Sequence, residues 1–342
     1  MARMLPDGRR LGAHLALADG MVKAADRAAE IGASALQIFS DNPTAWRRRA
    51  APSPEIPAFR ERLAASGIAP LAIHASYLVN LAGSDPGYHE RSVALLAAEL
   101  RAARRFGAAF VNVHIGSHGG AGVDAGIERL VTAIRLALEA EHEPDEHDTD
   151  KPDHTGGANP DAAITLENSV GAGFGLGVDI DELAAIADAL GAAGIPARRV
   201  AFCLDTAHAW GAGYDLSDPA ATDALLADFD RRIGLGRLPL VHLNDSRSER
   251  GSRMDRHEHL GAGRIGEAGI AYLLRHPSLT DATYILETPG MDEGYDAINL
   301  ARAHALARGE PVAPLPPGAF TLRGSRARAA TPVDPAAAPA PT

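Results

Sequence analysis

Residues 241–266, VHLNDSRSERGSRMDRHEHLGAGRIG, contain three potential metal ligands, His242, Asp255 and His257, within sixteen residues. Val-His-Leu is typical of a buried parallel strand and Asn-Asp-Ser of a turn, so His242 is predicted to end a strand. Parallel α/β folds carry their chemistry at such strand ends. The Asp-x-His spacing puts two side chains on one side of an extended segment, where they could bind one ion. The stretch by itself leaves a capping or surface role equally open.

Similar side chains follow the other predicted strands. The candidates number nine, all at or just beyond predicted strand ends: His74, His114, Glu167, Asp205, His208, His242, Asp255, His257 and Glu287. Clustered carboxylates and imidazoles without a cation would repel one another or stay desolvated at high cost. We therefore expect a polynuclear metal site at one barrel mouth.

The donor types indicate which metal this site would hold. Imidazole with carboxylate suits Zn²⁺, with Mn²⁺ or Fe²⁺ an option at a site where oxygen ligands dominate. Nine ligands exceed what one tetrahedral ion can use. Shared among three ions, with one carboxylate bridging, they leave positions open for water and substrate, which suits in-line displacement at phosphorus.

The elements that must position these residues alternate strand and helix eight times along 342 residues. This order predicts an α/β fold, a single eight-stranded (β/α)8 TIM barrel. The predicted strands cover residues 11–17, 35–40, 70–75, 109–115, 162–169, 199–206, 238–243 and 283–288. The barrel domain is assigned to residues 11–310, after an N-terminal extension at residues 1–10. An acidic loop insertion at 141–160 and a Pro- and Ala-rich tail at 311–342 lack apolar periodicity, so we expect a mobile loop and a disordered tail.

Composition limits the class of protein. The only cysteine, Cys203, has no partner for an intrachain disulfide within these residues, which fits a reducing compartment. Cys203 lies two residues before Asp205 on the same predicted strand, so its side chain also points into the barrel but farther from the open end. We therefore predict that it fills space in the core. No apolar run approaches eighteen residues, and we expect a soluble, cytoplasmic monomer without membrane contacts.

Net charge bears on the partner. A formal charge of -11 argues at face value against binding a polyanion, which depends on Lys and Arg contacts with phosphates. Much of the acidity, however, lies in residues 139–153, while arginines cluster at 47–49 and again at 247–256. The acidic stretch could therefore lie far from any binding face.

Six motifs carry a resemblance to a known family. They are HASYLVNL at 74–81, NVHIGSH at 112–118, LENS at 166–169, CLDTAHAWGAGYD at 203–215, HLNDSRSERGSRMDRHEHLGAGRIG at 242–266 and LET at 286–288. In order and spacing, from about residue 11 to residue 307, they resemble the endonuclease IV family of apurinic/apyrimidinic endonucleases, within the xylose isomerase-like TIM barrel superfamily. The resemblance implies a trinuclear zinc enzyme of base excision repair. It would cleave DNA 5′ to an abasic site, leaving a 3′-hydroxyl and a 5′-deoxyribose phosphate.

The resemblance also implies a role for each ligand. His74, His114 and Glu167 would hold one zinc; Glu167 would bridge to a second, completed by Asp205, His242 and Glu287; and His208, Asp255 and His257 would hold the third. A hydroxide between the first two ions would attack phosphorus, and the third ion would stabilise the departing 3′ oxygen. Glu287 would in addition orient or deprotonate that hydroxide, so Glu167 and Glu287 are the expected catalytic carboxylates.

The implied partner is double-stranded DNA with the abasic nucleotide extruded. Tyr77 and Leu78 match a family loop that enters the minor groove, although Leu78 could equally pack beneath the loop. Asn42 and Trp46 match a second loop, in which Trp46 could instead pack on the barrel. Thr44 departs from the arginine usual there, and Arg47, in the adjacent arginine run, is expected to compensate. Arg253, from the second arginine cluster, is a further expected DNA contact.

Two other readings remain open. A sugar isomerase or epimerase of the same barrel superfamily would explain the acidic charge and would use Glu167 and Glu287 as acid–base groups. It leaves His208, Asp255 and His257 without a role. A non-enzymatic module that binds a DNA lesion or another partner would have no need of a polynuclear hydrolytic centre.

Overall fold

Eight short parallel strands close into a barrel in the computed structural model, which describes residues 2–49, 51–142 and 161–321. The strands are β1 (Leu11–His14), β2 (Ala35–Phe39), β3 (Leu71–His74), β4 (Phe110–His114), β5 (Ala163–Glu167), β6 (Val200–Asp205), β7 (Leu240–His242) and β10 (Thr283–Leu286); the short strands β8 and β9 form a separate hairpin described below. Around the barrel the order is β1-β10-β7-β6-β5-β4-β3-β2. The predicted (β/α)8 TIM barrel is confirmed.

Helices cover the outside of the barrel because their apolar faces pack on the outward side chains of the strands. The helices are α1 (Met21–Glu30), α2 (Ile56–Ser66), α3 (Pro86–Phe106), α4 (Val123–Ala140), α5 (Ile180–Ala192), α6 (Thr206–Ala212), α7 (Pro219–Arg232), α8 (Gly266–Arg275) and α9 (Tyr295–Arg308). Local chemistry sets several of their ends: the Asp85 carboxylate accepts from Tyr88 N at the start of α3, and Asp179 accepts from Glu182 N at the start of α5. Across the described ranges, every helix is too short or too polar to cross a bilayer.

Two elements were absent from the sequence prediction, and both bear on the site. Helix α6 begins directly where β6 ends, because the side chain of Asp205 accepts from His208 N at 2.8 Å and caps the helix. A two-residue hairpin, β8 (Asp245–Ser246) with β9 (His257–Glu258), folds the loop after β7 back on itself. These elements bring His208 and His257 back over the barrel mouth.

The described residues on either side of the acidic insertion lie at the opposite face of the barrel from the carboxyl ends of the strands. Its first residue, Glu141, is buried and pairs with Arg199 at 2.7 Å, just before β6. Asp161, just before β5, pairs with Arg104 at 2.7 Å. Strand β5 runs from this face to Glu167, about 13 Å away at 3.3 Å per residue. Residues 143–160, to which most of the predicted mobile loop belongs, lie outside the described residues.

The segment after α9 departs in part from the predicted disordered tail. Residues 311–321 pack back on the barrel: Val312 contacts the apolar core, and Ala319 is buried. The carbonyl of Ala319 accepts from His259 Nε2 at 2.9 Å, two residues from His257. Side-chain hydrogen bonds from Arg302 and His259 to backbone carbonyls, together with apolar contacts, hold this segment, and the domain boundary at residue 310 stays a prediction. Residues 322–342 lie outside the described residues.

Candidate metal centre at the barrel mouth

The interior of the barrel is apolar in its middle and polar at its open end. Ala35, Cys203, Leu240 and Ile285 pack together inside the barrel, and each lies two residues before a polar residue that faces the same side of the strand. The Cys203 side chain is buried, and burial raises the pKa of its thiol to about 11, which disfavours a thiolate. It occupies the core position that its parity predicts.

The first group of candidate ligands comprises His74, His114 and Glu167, from β3, β4 and β5. Each offers a ligand atom, and these atoms lie within 4.8 Å of one another. His74 Nε2 is 3.7 Å from Glu167 Oε2. Two imidazoles and a carboxylate at this separation match the donor set of a zinc site with an open fourth position.

Glu167 also belongs to a second group, with Asp205, His242 and Glu287. His242 Nδ1 lies at its centre, 3.3 Å from Glu287 Oε2, 3.5 Å from Glu167 Oε2 and 3.9 Å from Asp205 Oδ2. The carboxylate of Glu167 therefore stands between the two groups, where a bridging ligand would have to be.

The third group lies above these on α6 and β9. Asp255 places one carboxylate oxygen 3.2 Å from His208 Nε2 and the other 3.1 Å from His257 Nε2. Its side chain is 48% exposed, so this group faces the opening. Asp205 also lies within 4.8 Å of both histidines, so its carboxylate could serve either the second group or the third.

Around the ligands is a ring of hydrogen-bonding groups that the sequence reasoning missed. Asn112 Nδ2 donates to Glu167 Oε2 at 2.6 Å, and Asn244 Nδ2 donates to Asp205 Oδ2 at 2.7 Å. Gln37 Nε2 donates to Glu287 Oε1 at 2.6 Å. Asn112 and Gln37 could have been found from the sequence, because both are polar residues at positions of β4 and β2 whose side chains point into the barrel. Asn244 lies in the turn after β7, where no such alternation applies.

Three of the histidines have one ring nitrogen against a backbone carbonyl. His74 Nδ1 is 2.7 Å from Ala75 O, His208 Nδ1 is 3.0 Å from Asn168 O, and His257 Nδ1 is 2.8 Å from Glu287 O. A ring nitrogen that donates to a carbonyl leaves the opposite nitrogen with its lone pair toward the cluster. This is the arrangement that metal-binding histidines adopt.

The residues fit a bound cation. Three buried polar atoms that face the cluster lack a well-aligned hydrogen bond, although charged neighbours lie close to each: Glu167 Oε1, His242 Nδ1 and His257 Nε2. A buried polar atom without a partner costs roughly 1–3 kcal/mol, more if it is charged. Metal coordination would satisfy all three atoms.

Charges within the first two groups compensate one another. Burial lowers the pKa of His242, but the ionised carboxylates of Glu287 and Glu167 outweigh this effect and raise the pKa well above its ordinary value. Burial would likewise raise the pKa of Glu287, but His242 and His14 hold it well below its usual range. Protons on the imidazoles thus take the place of a cation, and a bound metal would displace them.

The third group behaves in the same way. Burial lowers the pKa of His257, yet the carboxylates of Asp205 and Asp255 outweigh it and raise this pKa to about 9. Burial would raise the pKa of Asp255, but hydrogen bonds from His208 and His257 hold it below its ordinary value. An ionised carboxylate between two imidazoles is a donor set ready for a divalent ion.

The loop after β3 stands beside this cluster. Tyr77 is 60% exposed, with its ring 5.6 Å from that of His74 and 5.2 Å from that of Phe39. Burial and the nearby carboxylates of Glu287 and Glu167 raise the pKa of Tyr77 to about 12, so its hydroxyl stays protonated. Leu78 is half-buried against the core, which is the packing alternative for that residue.

The loop after β2 holds three of the other predicted DNA contacts. Asn42 is exposed, and its side-chain oxygen accepts from Thr44. Trp46 packs edge-on against Tyr88 at 4.9 Å and beneath the Arg91 guanidinium at 4.8 Å, so it has the packing role that the sequence left open. Arg47 is exposed and lines a cavity of about 370 Å³ on the outer wall beside α2 and α3.

Two exposed residues lie on loops after β5 and β7. Arg253 has φ of 55°, in the left-handed region that non-glycine residues rarely adopt, and its backbone N donates to Gly211 O. Phe174 is 56% exposed and packs at 5.5 Å against His118, and its loop is joined to the loop after β4 by a bridge between Ser117 and Gly175. Sequence reasoning missed Phe174, since a single aromatic residue in a glycine-rich turn has no periodicity.

The fold and the imidazole–carboxylate mouth together define a class of protein. The model of the Xylose isomerase-like TIM barrel family matches residues 25–308. The "Probable endonuclease 4" of Methanoculleus marisnigri is 40% identical over 87% of this chain and 98% of that protein, and the "Probable endonuclease 4" of Halothermothrix orenii is 38% identical over 86% and 99%. The chain belongs to the endonuclease IV family.

Solved structures agree with this assignment. The crystal structure of endonuclease IV from Thermus thermophilus is 38% identical, with a TM-score of 0.71 over 88% of this chain and 99% of that one. A D-tagatose 3-epimerase-like protein has a TM-score of 0.59 at 15% identity, over 88% of this chain and 98% of that one. At that identity the epimerase-like structure shares the fold alone.

Proposed function

We propose that this protein is a metal-dependent endonuclease that cleaves the DNA phosphodiester 5′ to an abasic site, leaving a 3′-hydroxyl and a 5′-deoxyribose phosphate. Membership of the endonuclease IV family supports a nuclease. The observation that carries the finer proposal is the third ligand group, in which Asp255 lies between His208 and His257. Glu167 could bridge two metal ions held by the first and second groups. His208, Asp255 and His257 would hold a third ion.

The groups would hold three zinc ions, with Mn²⁺ or Fe²⁺ an option at one of them. Zinc ions held there would lower the pKa of a bound water and offset negative charge on the phosphate oxygens. All nine proposed ligands come from one chain, so the centre would be complete in a monomer.

Glu287 and Glu167 would handle the proton and the charge. Gln37 occupies Oε1 of Glu287, which leaves Oε2 directed toward His242 and the cluster. This oxygen could accept the proton of the attacking water. Glu167 Oε2 accepts from Asn112 and lies between His74 and His242, whereas Oε1 lies 3.0 Å from His208 Nδ1, so both oxygens of that carboxylate face the cluster.

The rim would contact the DNA. Tyr77 and Phe174 offer exposed aromatic faces for nucleotides next to the extruded site. Arg253 and Asn42 are exposed on the loops after β7 and β2, respectively, and would contact phosphates or groove edges. We retain Leu78 as a support of the Tyr77 loop and Trp46 as a support of the Asn42 loop, because both are packed.

Part of the negative charge is offset by ion pairs. Glu141 and Asp161, on either side of residues 143–160, pair with Arg199 and Arg104 at the barrel face opposite the ligands. Arg47 remains exposed on the outer wall, where it could contact a phosphate of the flanking duplex.

The test is a nicking assay on a duplex that carries one tetrahydrofuran abasic analogue. Zinc-loaded protein should cut 5′ to the analogue, lose activity with a strong chelator and regain it with zinc. Glu287→Gln should lower kcat by about a hundredfold to ten-thousandfold with the fold intact, because it removes the proton acceptor. Glu61→Gln, on the exposed face of α2, is the matched control and should cut normally. Turnover of a ketose in preference to abasic DNA would refute the nuclease and support the sugar isomerase.

A further inference from the structure

Gln37 is the only glutamine among the 342 residues and lies fully buried in the middle of β2, with its side chain directed into the barrel. Its amide nitrogen is 2.6 Å from Glu287 Oε1, and its amide oxygen is 2.9 Å from His242 Nε2. In the barrel order, β1 and β10 lie between β2 and β7. The side chain thus reaches across the interior to connect two proposed ligands on different strands.

Hydrogen-bonding chemistry fixes the orientation of this amide. The ionised carboxylate of Glu287 can only accept, so the NH₂ group of Gln37 must face it. The second N–H of that group points to His14 Nδ1 at 3.0 Å. The amide oxygen is then the group that faces His242, and His242 Nε2 must carry the hydrogen. The opposite nitrogen, His242 Nδ1, is left facing Glu287 Oε2 and Glu167 Oε2, without a hydrogen-bond partner.

We propose that Gln37 is a positioning residue of the metal centre. Its oxygen selects the Nε2–H tautomer of His242, which directs the Nδ1 lone pair at the metal, and its NH₂ group turns Glu287 so that Oε2 faces the same position. The inference rests on the proposed function only in assuming that these ligands hold metal.

His242 is a suitable place to test such a role. His74, His208 and His257 rely on backbone carbonyls, which substitution cannot remove. His242 relies on a side chain. Partners of this kind usually change metal affinity by about tenfold to a hundredfold when they are removed.

The main test substitutes Gln37→Met, which keeps the length of the side chain and removes both hydrogen-bonding groups. Zinc is titrated against a chromophoric chelator in the full-length protein, without DNA. We expect one zinc per chain to bind about tenfold to a hundredfold more weakly, and the remaining zinc to bind as in the parent protein. On abasic duplex, kcat should fall while KM stays within about twofold, because no rim residue changes.

The control is Ser92→Ala, which removes a buried hydroxyl on α3 that bonds to Asn80 N and Tyr88 O. It should lower the melting temperature but leave zinc affinity unchanged. If Gln37→Met lowers the melting temperature of the metal-free protein and binds every zinc normally, Gln37 is merely structural and the proposal fails.

A spectroscopic readout uses the uniqueness of Gln37. Protein labelled with ¹⁵N-glutamine should give a single side-chain NH₂ pair, and both protons should exchange slowly with solvent in the zinc-loaded form because both are bonded. A fast-exchanging pair would overturn the proposal. If Gln37→Met binds zinc normally and the parent protein cleaves abasic DNA, the positioning role is refuted and the nuclease proposal is not. Zinc loss in the variant, with a parent protein inactive on abasic DNA, would refute the nuclease and leave the positioning role standing.

Discussion

Removing the metal should reverse the way this protein's stability depends on pH. In the metal-free protein the pKa of His257 is about 9, because Asp205 and Asp255 outweigh the effect of burial, against an ordinary value of 6.5. Below pH 6.5 the ring is protonated in both folded and unfolded chains, and the full stabilisation is present. As the pH rises through 9 the folded protein loses that proton, and the stabilisation is lost.

The magnitude follows from the two pKa values. Each tenfold difference in proton affinity corresponds to about 1.4 kcal/mol, so His257 contributes about 3 kcal/mol at pH 6.5 that is gone well above pH 9. The pKa values of His208 and His242 are also raised, so their contributions have the same sign. For a chain of this size, about 3 kcal/mol corresponds to a fall in melting temperature of roughly 5 °C or more.

The zinc-loaded protein should show the opposite trend. Zinc binds only deprotonated imidazole, so at a fixed free zinc concentration binding strengthens as the pH rises and stabilises the fold. The assay is thermal unfolding of chelated and zinc-loaded protein at pH 6.5, 7.5, 8.5 and 9.5.

Two variants calibrate this assay. His257→Gln should reduce the pH dependence of the chelated form by the contribution of His257, leaving those of His208 and His242. His89→Gln, on α3 against the carbonyl of Arg129 and outside the cluster, should not. A melting temperature of the chelated parent that is constant or rises between pH 6.5 and 9.5 would refute the assignment of displaceable protons to the ligand histidines.

Two further predictions concern the rim and the loop that carries Asp255. Phe174→Ala should raise KM for abasic duplex about tenfold with kcat nearly unchanged, since base–aromatic stacking is worth about 1–3 kcal/mol. The control is Leu136→Ala, which changes an exposed apolar residue on α4, and a KM for Phe174→Ala equal to that of the parent in steady-state assays would exclude Phe174 from the interface. Asp245 is buried and accepts from the backbone N–H groups of Gly261, Gly263 and Ile265, so Asp245→Asn should lower the melting temperature by several degrees and weaken zinc binding at the third group. Calorimetry and chelator titration that cannot distinguish the variant from the parent protein would contradict this.

Much of the site was predictable because the fold imposes a strong geometric rule. In a parallel barrel with right-handed crossovers every strand ends at the same rim. The barrel therefore brings the end of β3 and the end of β10 to the same open end, although the two strands are far apart in sequence. The order of strands and helices is enough to predict this. The strand ends that carry His74 and Glu287 could thus be read as one site from alternation and spacing.

The sequence was less informative where partners meet across the interior. Gln37 is 205 residues from His242 and 250 from Glu287, and a polar residue in an apolar strand does not indicate which side chains lie opposite. The sequence shows that His208 follows Asp205 by three residues. It does not show that the Asp205 carboxylate caps a helix beginning there, which directs the His208 imidazole toward Asp255.

Residue types and their periodicity along the chain determined the barrel, its open end and the kinds of ligand gathered there, because each of these depends on local pattern and a single rule of connection. Only the tertiary structure decided which nitrogen of His74, His208, His242 and His257 faces the cluster, that Ala319 bonds to His259 beside the loop of His257, and that Glu141 pairs with Arg199 at the far face. Those features depend on hydrogen bonds and ion pairs between groups distant in sequence, and their formation is settled only when the whole barrel closes.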